Sequence, residues 1–457
     1  MNIWLPTVSL HSLVIVASIL AYVLTTRAER VRRPPSIAIA WVLGMIALPY
    51  LTLPMYLMFG RRKLARKSAR HSGARPAERH WAKDLIESFG LPPSTPALIT
   101  MHQDGAESAA ALFATMSSAV SRLDICTFIL GADPFGREAM RHMIERASAG
   151  VEVRLLLDGV GAIQLPRACF RTLQRGGVET AIFSPLFARK TQGPRNLRNH
   201  RKMVIADGAR LWAGGRNLAA EYFSGAAGAP PWLDLTFDLQ GPVAAAAASQ
   251  FEFDWVAAGG KPAAAAVQVA AAAAGTAGAV SEAQFLPSGP DQSEDTVHSL
   301  LIDACFHARE RMLAVTPYFV PDVSLETAMR LAARRGVRID LCIPASSNHR
   351  LADFARNRSL RALSQAGVNV HLLPYMSHAK AVVFDRTLGL AGSVNLDSRS
   401  LLLNYECAVA FYGRGEIDWL ANWIEALLPK TAPFDCRRPS LLRDLCEGLL
   451  LTVAYQL

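Results

Sequence analysis

One short pattern, His-x-Lys-x4-Asp, occurs twice in this chain of 457 residues and constrains its fold more than any other feature. The copies occupy residues 200–207 and 378–385. Each is followed, seventeen residues beyond its histidine, by an asparagine in a turn of small residues, Asn217 in the first copy and Asn395 in the second. Two copies in register, each with its asparagine, indicate one active site built from two halves.

The lysines of the motif indicate chemistry at phosphate. The chain has 48 Lys and Arg residues, of which only eight are lysine, and Lys202 and Lys380 are two of those eight. A lysine ammonium is a compact point charge that can lie beside a phosphoryl oxygen without the forked geometry of arginine. Two motif positions that keep lysine in an arginine-rich chain therefore favour a role in binding a phosphoryl group.

The residues around each motif predict a β-hairpin. Turn signals at Asp207-Gly208 and Asp385-Arg386 are flanked by short apolar runs, at 199–206 and 210–213 and at 380–384 and 387–391. Side chains at positions i and i+2 of a strand share a face. His200 and Lys202 should therefore point the same way, as should His378 and Lys380.

The motif aspartates, Asp207 and Asp385, are less well placed to join them. Each lies seven residues after its histidine, at the start of a turn. An odd offset along a strand puts a side chain on the opposite face. We include both among the candidate catalytic residues because they complete the motif, although their position favours a structural or supporting role.

Two apolar stretches near the N-terminus predict a transmembrane helical hairpin. Residues 8–26 carry no formal charge, and residues 37–60 repeat this composition with Pro49 and Pro54 inside. Each stretch is long enough to cross a bilayer. A cleaved signal peptide is the alternative for the first stretch, but no basic segment precedes it and no small-residue cleavage pattern follows it.

The distribution of basic residues favours a membrane-surface role. The formal net charge is +10, which suits anionic lipid headgroups or nucleic acid equally well. The densest basic run, residues 61–83, has nine Lys or Arg and one acid, Glu78, and directly follows the second apolar stretch. Lys and Arg near the ends of spans mark the cytoplasmic side, so this run places the catalytic part there, whereas the arginines of the connector at 27–33 favour the opposite orientation.

The chain upstream of each motif is also duplicated. Both halves show short apolar strands alternating with helices, which predicts an α/β fold with a mixed sheet covered by helices on both faces. The expected organisation is two transmembrane helices at 1–62, a basic juxtamembrane linker at 63–100, a first half at 101–256, an Ala/Gly-rich linker at 257–284, and a second half with a C-terminal helix at 285–457.

Two further features bear on the role of the C-terminus and on the cellular compartment. The run 441–457 is apolar but contains three charges, so we expect a helix that closes the domain rather than one that contacts a membrane. Seven cysteines are scattered along the chain without any Cys-x-x-Cys pair. They are typical of buried thiols in a reducing compartment.

Taken with their neighbours, the motifs resemble the phospholipase D superfamily and, within it, the bacterial cardiolipin synthases. The duplicated motif alone specifies the superfamily, whereas the N-terminal apolar pair and the flanking stretches point to the synthases. Those stretches include Gly214-Gly215-x-Asn217, Glu221-Tyr222, Trp232-x-Asp234, Phe253-Asp254-Trp255, Pro317-Tyr318-Phe319-Val320-Pro321-Asp322 and Asn395-Leu396-Asp397-x-Arg399-Ser400. Asn348 and Met376 depart from the family's usual pattern and leave the acceptor open.

The resemblance implies two tandem phospholipase-D-like halves, related by a pseudo-twofold axis, with one active site between them. His200 would attack phosphorus to give a phosphohistidine, and His378 would protonate the leaving oxygen and then activate the incoming alcohol. The phosphoryl oxygens would be held by Lys202, Lys380, Asn217 and Asn395. No metal or other cofactor is required.

Two glutamates are candidates for supporting roles. Glu221 and Glu406 each lie downstream of the asparagine of their half, and each could accept a hydrogen bond from a histidine ring nitrogen. A surface or salt-bridge role is the alternative for both. The remaining histidines share no spacing typical of a zinc site.

We therefore expect a multi-pass protein of the bacterial inner membrane with its catalytic part on the cytoplasmic side. Its substrates would be phospholipids rather than nucleic acid, and two phosphatidylglycerol molecules would yield cardiolipin and glycerol. The alternatives are a phospholipase D that transfers to water, a nuclease, and a scaffold without activity. The intact motifs argue against the scaffold, whereas the oligomeric state stays open.

Overall fold

The computed structural model describes residues 10–29, 35–60, 80–185, 196–226, 228–263 and 281–452. The helices are α1 Leu10–Glu29, α2 Pro35–Ala47, α3 Pro49–Phe59, α4 Trp81–Ser88, α5 Gly105–Ser118, α6 Pro134–Ser148, α7 Arg167–Arg175, α8 Pro242–Ala257, α9 Thr296–His307, α10 Val323–Arg334, α11 Arg350–Gln365, α12 Ser398–Leu402, α13 Arg414–Glu425 and α14 Leu441–Thr452. The strands are β1 Thr95–His102, β2 Arg122–Thr127, β3 Glu152–Asp158, β4 Glu179–Phe183, β5 Met203–Ala206, β6 Arg210–Gly214, β7 Thr236–Gln240, β8 Ser281–Ser288, β9 Arg311–Val315, β10 Phe319–Val320, β11 Arg338–Pro344, β12 Asn369–Leu373, β13 Ala381–Phe384, β14 Leu388–Gly392, β15 Leu396–Asp397, β16 Glu406–Phe411 and β17 Ala432–Pro433.

Fifteen of these strands form one continuous mixed sheet, and the strand order shows the duplication directly. The order is β17-β12-β11-β9-β13-β14-β16-β8-β1-β7-β6-β5-β2-β3-β4. The strands on the two sides of the central β8-β1 pair match one another in type and in sequence order. Reading outward from that pair, β16 matches β7, β14 matches β6, β13 matches β5, β9 matches β2, β11 matches β3 and β12 matches β4. The prediction of a duplicated α/β fold with a mixed sheet is confirmed.

The halves join edge to edge through their first strands. In β1, Thr95 and Ala97 pair antiparallel with Ala283 and Ser281 of β8. Strand β1 thus begins within the stretch 63–100 that the sequence assigns to a linker, and α4 lies there as well. Ala82 and Ile86 of α4 are buried in the core of the second half, so the end of that stretch is part of the folded domain.

A single hydrophobic core covers one face of the sheet across both halves. It contains Phe251 and Trp255 of α8, from the first half, and Leu420 and Ile424 of α13, from the second. Separate cores fill the opposite face of each half. Most central strands are buried along their whole length, which explains why their sequences read as continuous apolar runs rather than alternating ones.

The N-terminal apolar stretches form three helices rather than the two that we expected. The second stretch breaks at Leu48, because Pro49 lacks an N–H and disfavours helical geometry in the residue before it. Tyr22, Met45 and Tyr56 pack together and join the three helices. Among the residues described, no helix is both long enough and apolar enough to cross a membrane.

Several expected segments lie partly or wholly outside the described residues. They are the Ala/Gly-rich stretch at 264–280, most of the basic run at 61–79, and the last residues, 453–457. The C-terminal helix itself is described, and it packs on α11, where Arg361 forms ion pairs with Asp444 and Glu447. It therefore closes the second half, as expected.

Candidate active site

The two motif histidines lie just before matching strands and are held by the opposite half. The sequence places strand starts at 199 and 380, whereas β5 begins at Met203 and β13 at Ala381. The backbone N–H of His200 donates to the carbonyl of Tyr405 at 2.8 Å, and that of His378 donates to the carbonyl of Leu233 at 2.6 Å. Each histidine is thereby fixed to a segment from the other half.

A carboxylate follows each of these backbone contacts and orients the histidine ring. Nδ1 of His200 lies 3.0 Å from Oε1 of Glu406, and Nδ1 of His378 lies 2.8 Å from Oδ2 of Asp234. A carboxylate accepts from Nδ1–H, so the neutral ring carries its free lone pair on Nε2. The histidine of each half is therefore oriented by a carboxylate of the other.

The structure places Asp234, and not the candidate Glu221, at the ring of His378. Asp234 occupies the position related to Glu406, whereas Glu221 is half-buried, and burial raises the pKa of its carboxyl. The spacing between asparagine and carboxylate differs in the two halves, so counting in register from Asn217 misses the pair. The stretch Trp232-x-Asp234 could have indicated Asp234 as a site residue, because a carboxylate placed between apolar residues needs a hydrogen-bonding partner.

Both carboxylates are fully buried and charged. Burial alone would raise the pKa of Glu406, but the interaction with His200, the charge of Lys202 and a hydrogen bond from Ser393 outweigh it and hold the pKa below its usual value. In the same way, His378 and Lys380 hold the pKa of Asp234 below its usual value against the effect of burial. Each ring thus has an ionised acceptor at Nδ1.

Both histidines are neutral near pH 7. Burial lowers the pKa of His200 to about 4, with Glu406 opposing and Lys202 reinforcing that effect. Burial and the neighbouring Lys380 lower the pKa of His378 to about 3. A neutral imidazole is the form that a nucleophile needs, whereas a general acid must first acquire a proton.

The two lysines lie beneath the histidines and differ in their contacts. Burial lowers the pKa of Lys202 to about 8 and that of Lys380 to about 7. Nζ of Lys202 donates to the carbonyl of His200 at 2.8 Å. Nζ of Lys380 also lies 2.8 and 3.1 Å from the ring nitrogens of His378. The second lysine can therefore exchange a proton with its histidine.

A cavity of about 470 Å³ opens over these groups. Its wall includes both motif histidines and both motif asparagines, together with Phe128, Tyr222, Tyr318, Arg198 and Arg399. Nδ2 of Asn217 donates to the hydroxyl of Tyr222 at 2.8 Å. The cavity therefore combines three imidazoles, five asparagine amides and two guanidinium groups with one carboxylate, that of Asp397, and this lining suits an anionic polar ligand.

The motif aspartates do not join this cavity wall. The carboxylate of Asp207 accepts backbone N–H groups of residues 120–122, each at 2.8 Å. Asp385 accepts the corresponding N–H groups of residues 309–311 at 2.8 to 2.9 Å. Each aspartate thus ties the hairpin turn to the start of the neighbouring strand, which is the structural role that its position in the motif favours.

The chain is similar to known proteins over most of its length. The family described as cardiolipin synthase, PLD-like domain, matches residues 112–228 and 301–428, and the phospholipase D-nuclease N-terminal family matches residues 14–61. The chain is 31% identical to cardiolipin synthase A of Pseudomonas aeruginosa over 92% of its own length and 89% of that protein. It is 30% identical to cardiolipin synthase A of Pseudomonas entomophila, over 85% of each chain.

A solved structure extends the likeness to the fold. Phosphatidylserine synthase of Haemophilus influenzae superposes with a TM-score of 0.62 at 14% identity, covering 82% of this chain and all of that one. The extent of the family match and the identity to the Pseudomonas proteins agree with the paired His-x-Lys-x4-Asp site. The chain belongs to the phospholipase-D-like cardiolipin synthase family.

Proposed function

We propose that this protein is a phosphatidyltransferase that makes cardiolipin and glycerol from two molecules of phosphatidylglycerol through a phosphohistidine. The observation that carries the proposal is the pair of neutral, buried histidines at one cavity, each oriented at Nδ1 by a carboxylate of the opposite half. The relatives named cardiolipin synthase A supply the substrate class.

In the first step, Nε2 of His200 attacks the phosphorus of the donor lipid. A P–N bond forms and the bond between phosphorus and the headgroup glycerol oxygen breaks. His378 takes a proton from Lys380 and gives it to that oxygen. In the second step, the terminal hydroxyl of the acceptor gives its proton to His378 and attacks phosphorus. The P–N bond breaks, and cardiolipin is released with His200 restored.

The contact of Lys380 with the ring of His378 supports this division of roles. Lys380 has its pKa lowered to about 7, so its ammonium can pass a proton to the adjacent imidazole. His200 has no equivalent ring contact with Lys202 among the contacts of the described residues, and a nucleophile needs none. The positions of the other motif residues suggest their roles. Asn217 and Asn395 would hold phosphoryl oxygens at the cavity wall, and the ammonium groups of Lys202 and Lys380 would balance the negative charge of those oxygens from beneath.

We further propose that residues 8–60 anchor the enzyme in the bacterial inner membrane, with the catalytic part on the cytoplasmic side. Large apolar side chains of the N-terminal helices are exposed, among them Leu10 (73%), Val16 (63%) and Leu43 (59%). Such side chains are stable against lipid rather than water. The basic run at 61–83 supports the cytoplasmic orientation.

The nearest alternative is a phospholipase D that transfers the same phosphatidyl group to water. Purified full-length protein should be incubated with phosphatidylglycerol that carries a label in the headgroup glycerol. Transfer predicts one cardiolipin for each labelled glycerol released. Phosphatidic acid without cardiolipin would overturn the synthase assignment while leaving the phosphohistidine chemistry in place.

A further inference from the structure

The C-terminal helix α14 has an unusual distribution of side chains. Glu447 is fully buried against Arg361, whereas Leu441, Leu442 and Leu445 are 77%, 73% and 62% exposed. A surface helix of a soluble domain normally turns its apolar face inward and its charges outward. Here acidic groups fasten the helix to the protein and three leucines face outward. The expectation that this helix serves only to close the domain is therefore incomplete.

The inner contacts fix the helix firmly in this orientation. Arg361 of α11 pairs with Glu447 and lies 3.5 Å from Asp444, and Arg443 adds a 3.0 Å hydrogen bond to Glu447. At the other end of the helix, Leu450 packs against the small core of Val320, Ala352 and Ala355. Rotating α14 to hide its leucines would leave the carboxylate of Glu447 unpaired, so the outward leucine face is built into the fold.

The helix on which α14 rests also forms part of the active-site wall. Ala352 of α11, with Asn348 and His349 just before it, lines the cavity that contains His200 and His378. Leu351, in the first turn of α11, is 60% exposed. The outward leucines therefore belong to the same structural unit as one wall of the cavity.

Exposed arginines accompany the leucines. Arg437 and Arg438 lie just before α14, Arg443 lies within it, and Arg350 and Arg358 lie on α11; all five are exposed. These two segments also contain four acids, each paired with an arginine: Asp353, Asp435, Asp444 and Glu447. With Arg356 and Arg361 counted, seven arginines stand against these four acids. Leucines flanked by arginines match the acyl region and the anionic headgroups of a lipid surface, whereas a protein partner would not need the excess positive charge.

We propose that α14 is an interfacial helix that lies on an anionic lipid surface, with Leu441, Leu442 and Leu445 among the acyl chains and the neighbouring arginines at the phosphates. This places the α11 side of the cavity at the membrane, where a phospholipid headgroup can reach the two histidines while its chains stay in the bilayer. The proposal rests on the lipid substrates proposed above, but contact between α14 and lipid can be measured without any enzymatic turnover.

A natural cysteine gives the direct test. Cys446 lies between Leu445 and Glu447 and is exposed, contrary to the expectation of buried thiols, as is Cys436. Full-length Cys436→Ser protein, labelled at Cys446 with an environment-sensitive fluorophore, should be reconstituted into vesicles of phosphatidylglycerol and phosphatidylcholine. We expect a blue shift and strong quenching by lipids with a shallow spin label. A fluorophore quenched by aqueous iodide as strongly in vesicles as in denaturant would overturn the proposal.

The same cysteine separates a lipid surface from a second copy of the chain. If the leucine faces of two copies packed against each other, a mild oxidant would form a disulfide between their Cys446 residues, even in vesicles that hold few protein molecules. Efficient disulfide dimers together with an absence of lipid quenching would assign the face to self-association and contradict the proposal.

Activity supplies a second readout with a matched control. The double variant Leu441→Glu, Leu445→Glu should lower turnover of vesicle phosphatidylglycerol about tenfold or more and leave turnover of a short-chain, monomeric phosphatidylglycerol unchanged. Leu331→Glu, at an exposed leucine of α10 (44%), should affect neither. Equal loss on both substrates would show a merely structural role. If the wild type is inactive on both substrates but Cys446 lies in lipid, the proposed function is refuted, whereas the proposal that α14 lies on the lipid surface still holds.

Discussion

At the scale of single residues, the site depends on side chains whose ionisation is set by burial. His200 and His378 have pKa values lowered to about 4 and about 3, and the lysines beneath them are lowered to about 8 and about 7. The histidine and lysine types could be predicted from the motif. Their pKa values could not, because these depend on Glu406 and Asp234, which lie 206 and 144 residues away along the chain.

The first prediction concerns the pH dependence of kcat/KM. Since the pKa of His200 is lowered to about 4, the nucleophile stays neutral well below pH 6.5, the usual value for histidine. Since the pKa of Lys380 is lowered to about 7, its ammonium is lost as the pH rises above that value. Cardiolipin formation should therefore hold a plateau from about pH 4 to about 7 and fall on the alkaline side.

The variant Lys380→Arg keeps its charge at every pH of interest, so the fall in its residual activity should move from about pH 7 to about pH 8, where Lys202 loses its proton. Circular dichroism over the same range controls for unfolding. An acidic limb near pH 6.5 in the wild type, or an alkaline limb that Lys380→Arg leaves in place, would contradict the assignment of these groups.

The second prediction concerns the carboxylates that orient the rings. Glu406→Gln can donate as well as accept, so it allows His200 to adopt the wrong tautomer, and kcat should fall by roughly 10²- to 10⁴-fold. Asp234→Asn should do the same through His378. Glu221→Gln is the matched control, because Glu221 orients neither ring, and it should change kcat by less than about threefold, well below the effect of a lost orienting group. A large loss at Glu221 with little loss at Glu406 would reverse this account.

At the scale of secondary-structure elements, the sequence pattern predicts the hairpins well and their edges less well. Asp207 has a positive φ of 51° and Asp385 one of 49°, as tight turns at these positions require. The first strand begins four residues later than the apolar pattern predicts, because His200 leaves its own hairpin to bond the opposite half, whereas the second begins within one residue of the prediction. Tertiary contacts thus decide the boundary that periodicity cannot.

The third prediction follows from the turn aspartates. Asp207→Ala and Asp385→Ala each remove the acceptor for three backbone N–H groups, and partial exposure lets water replace some of that loss. The free energy of unfolding in urea should fall by about 1–3 kcal/mol in each variant. At temperatures where the variants stay folded, kcat should remain close to that of the wild type. A loss of kcat with unchanged stability would return these aspartates to the catalytic set.

At the scale of the whole molecule, the two halves form one body rather than two neighbouring domains. A shared core crosses the β1-β8 junction, and each half supplies the carboxylate that orients the histidine of the other. Sequence comparison of the halves predicts the duplication, but it cannot predict the crossed pairing, because the two repeats do not keep the same spacing around Asp234 and Glu406.

The fourth prediction tests this union through Arg201, which is fully buried beside His200. Its guanidinium pairs with Asp254 of the first half at 2.5 Å and with Asp291 of the second at 2.8 Å, and it donates to the carbonyl of Glu406. Arg201→Met should lower stability by about 3–5 kcal/mol, because two buried carboxylates lose their partner. Urea unfolding followed by tryptophan fluorescence measures this change.

A control sharpens that experiment. Arg141 forms ion pairs with Glu138 and Glu145 on an exposed helix surface, where water screens them, so Arg141→Met should lower stability far less than Arg201→Met does. Similar stability of the two variants would mean that Arg201 does not hold the halves together.

The central claim, a phosphatidyl group carried on one histidine and handed on with the help of the other, is tested most directly by trapping the intermediate. His378→Ala protein should be incubated with phosphatidylglycerol labelled at phosphorus, quenched in alkali and mapped by mass spectrometry. We expect label on the peptide that contains His200, no release of cardiolipin, and no label when His200→Ala is combined with His378→Ala. Label on any other residue, or cardiolipin formed by the double variant, would contradict the account.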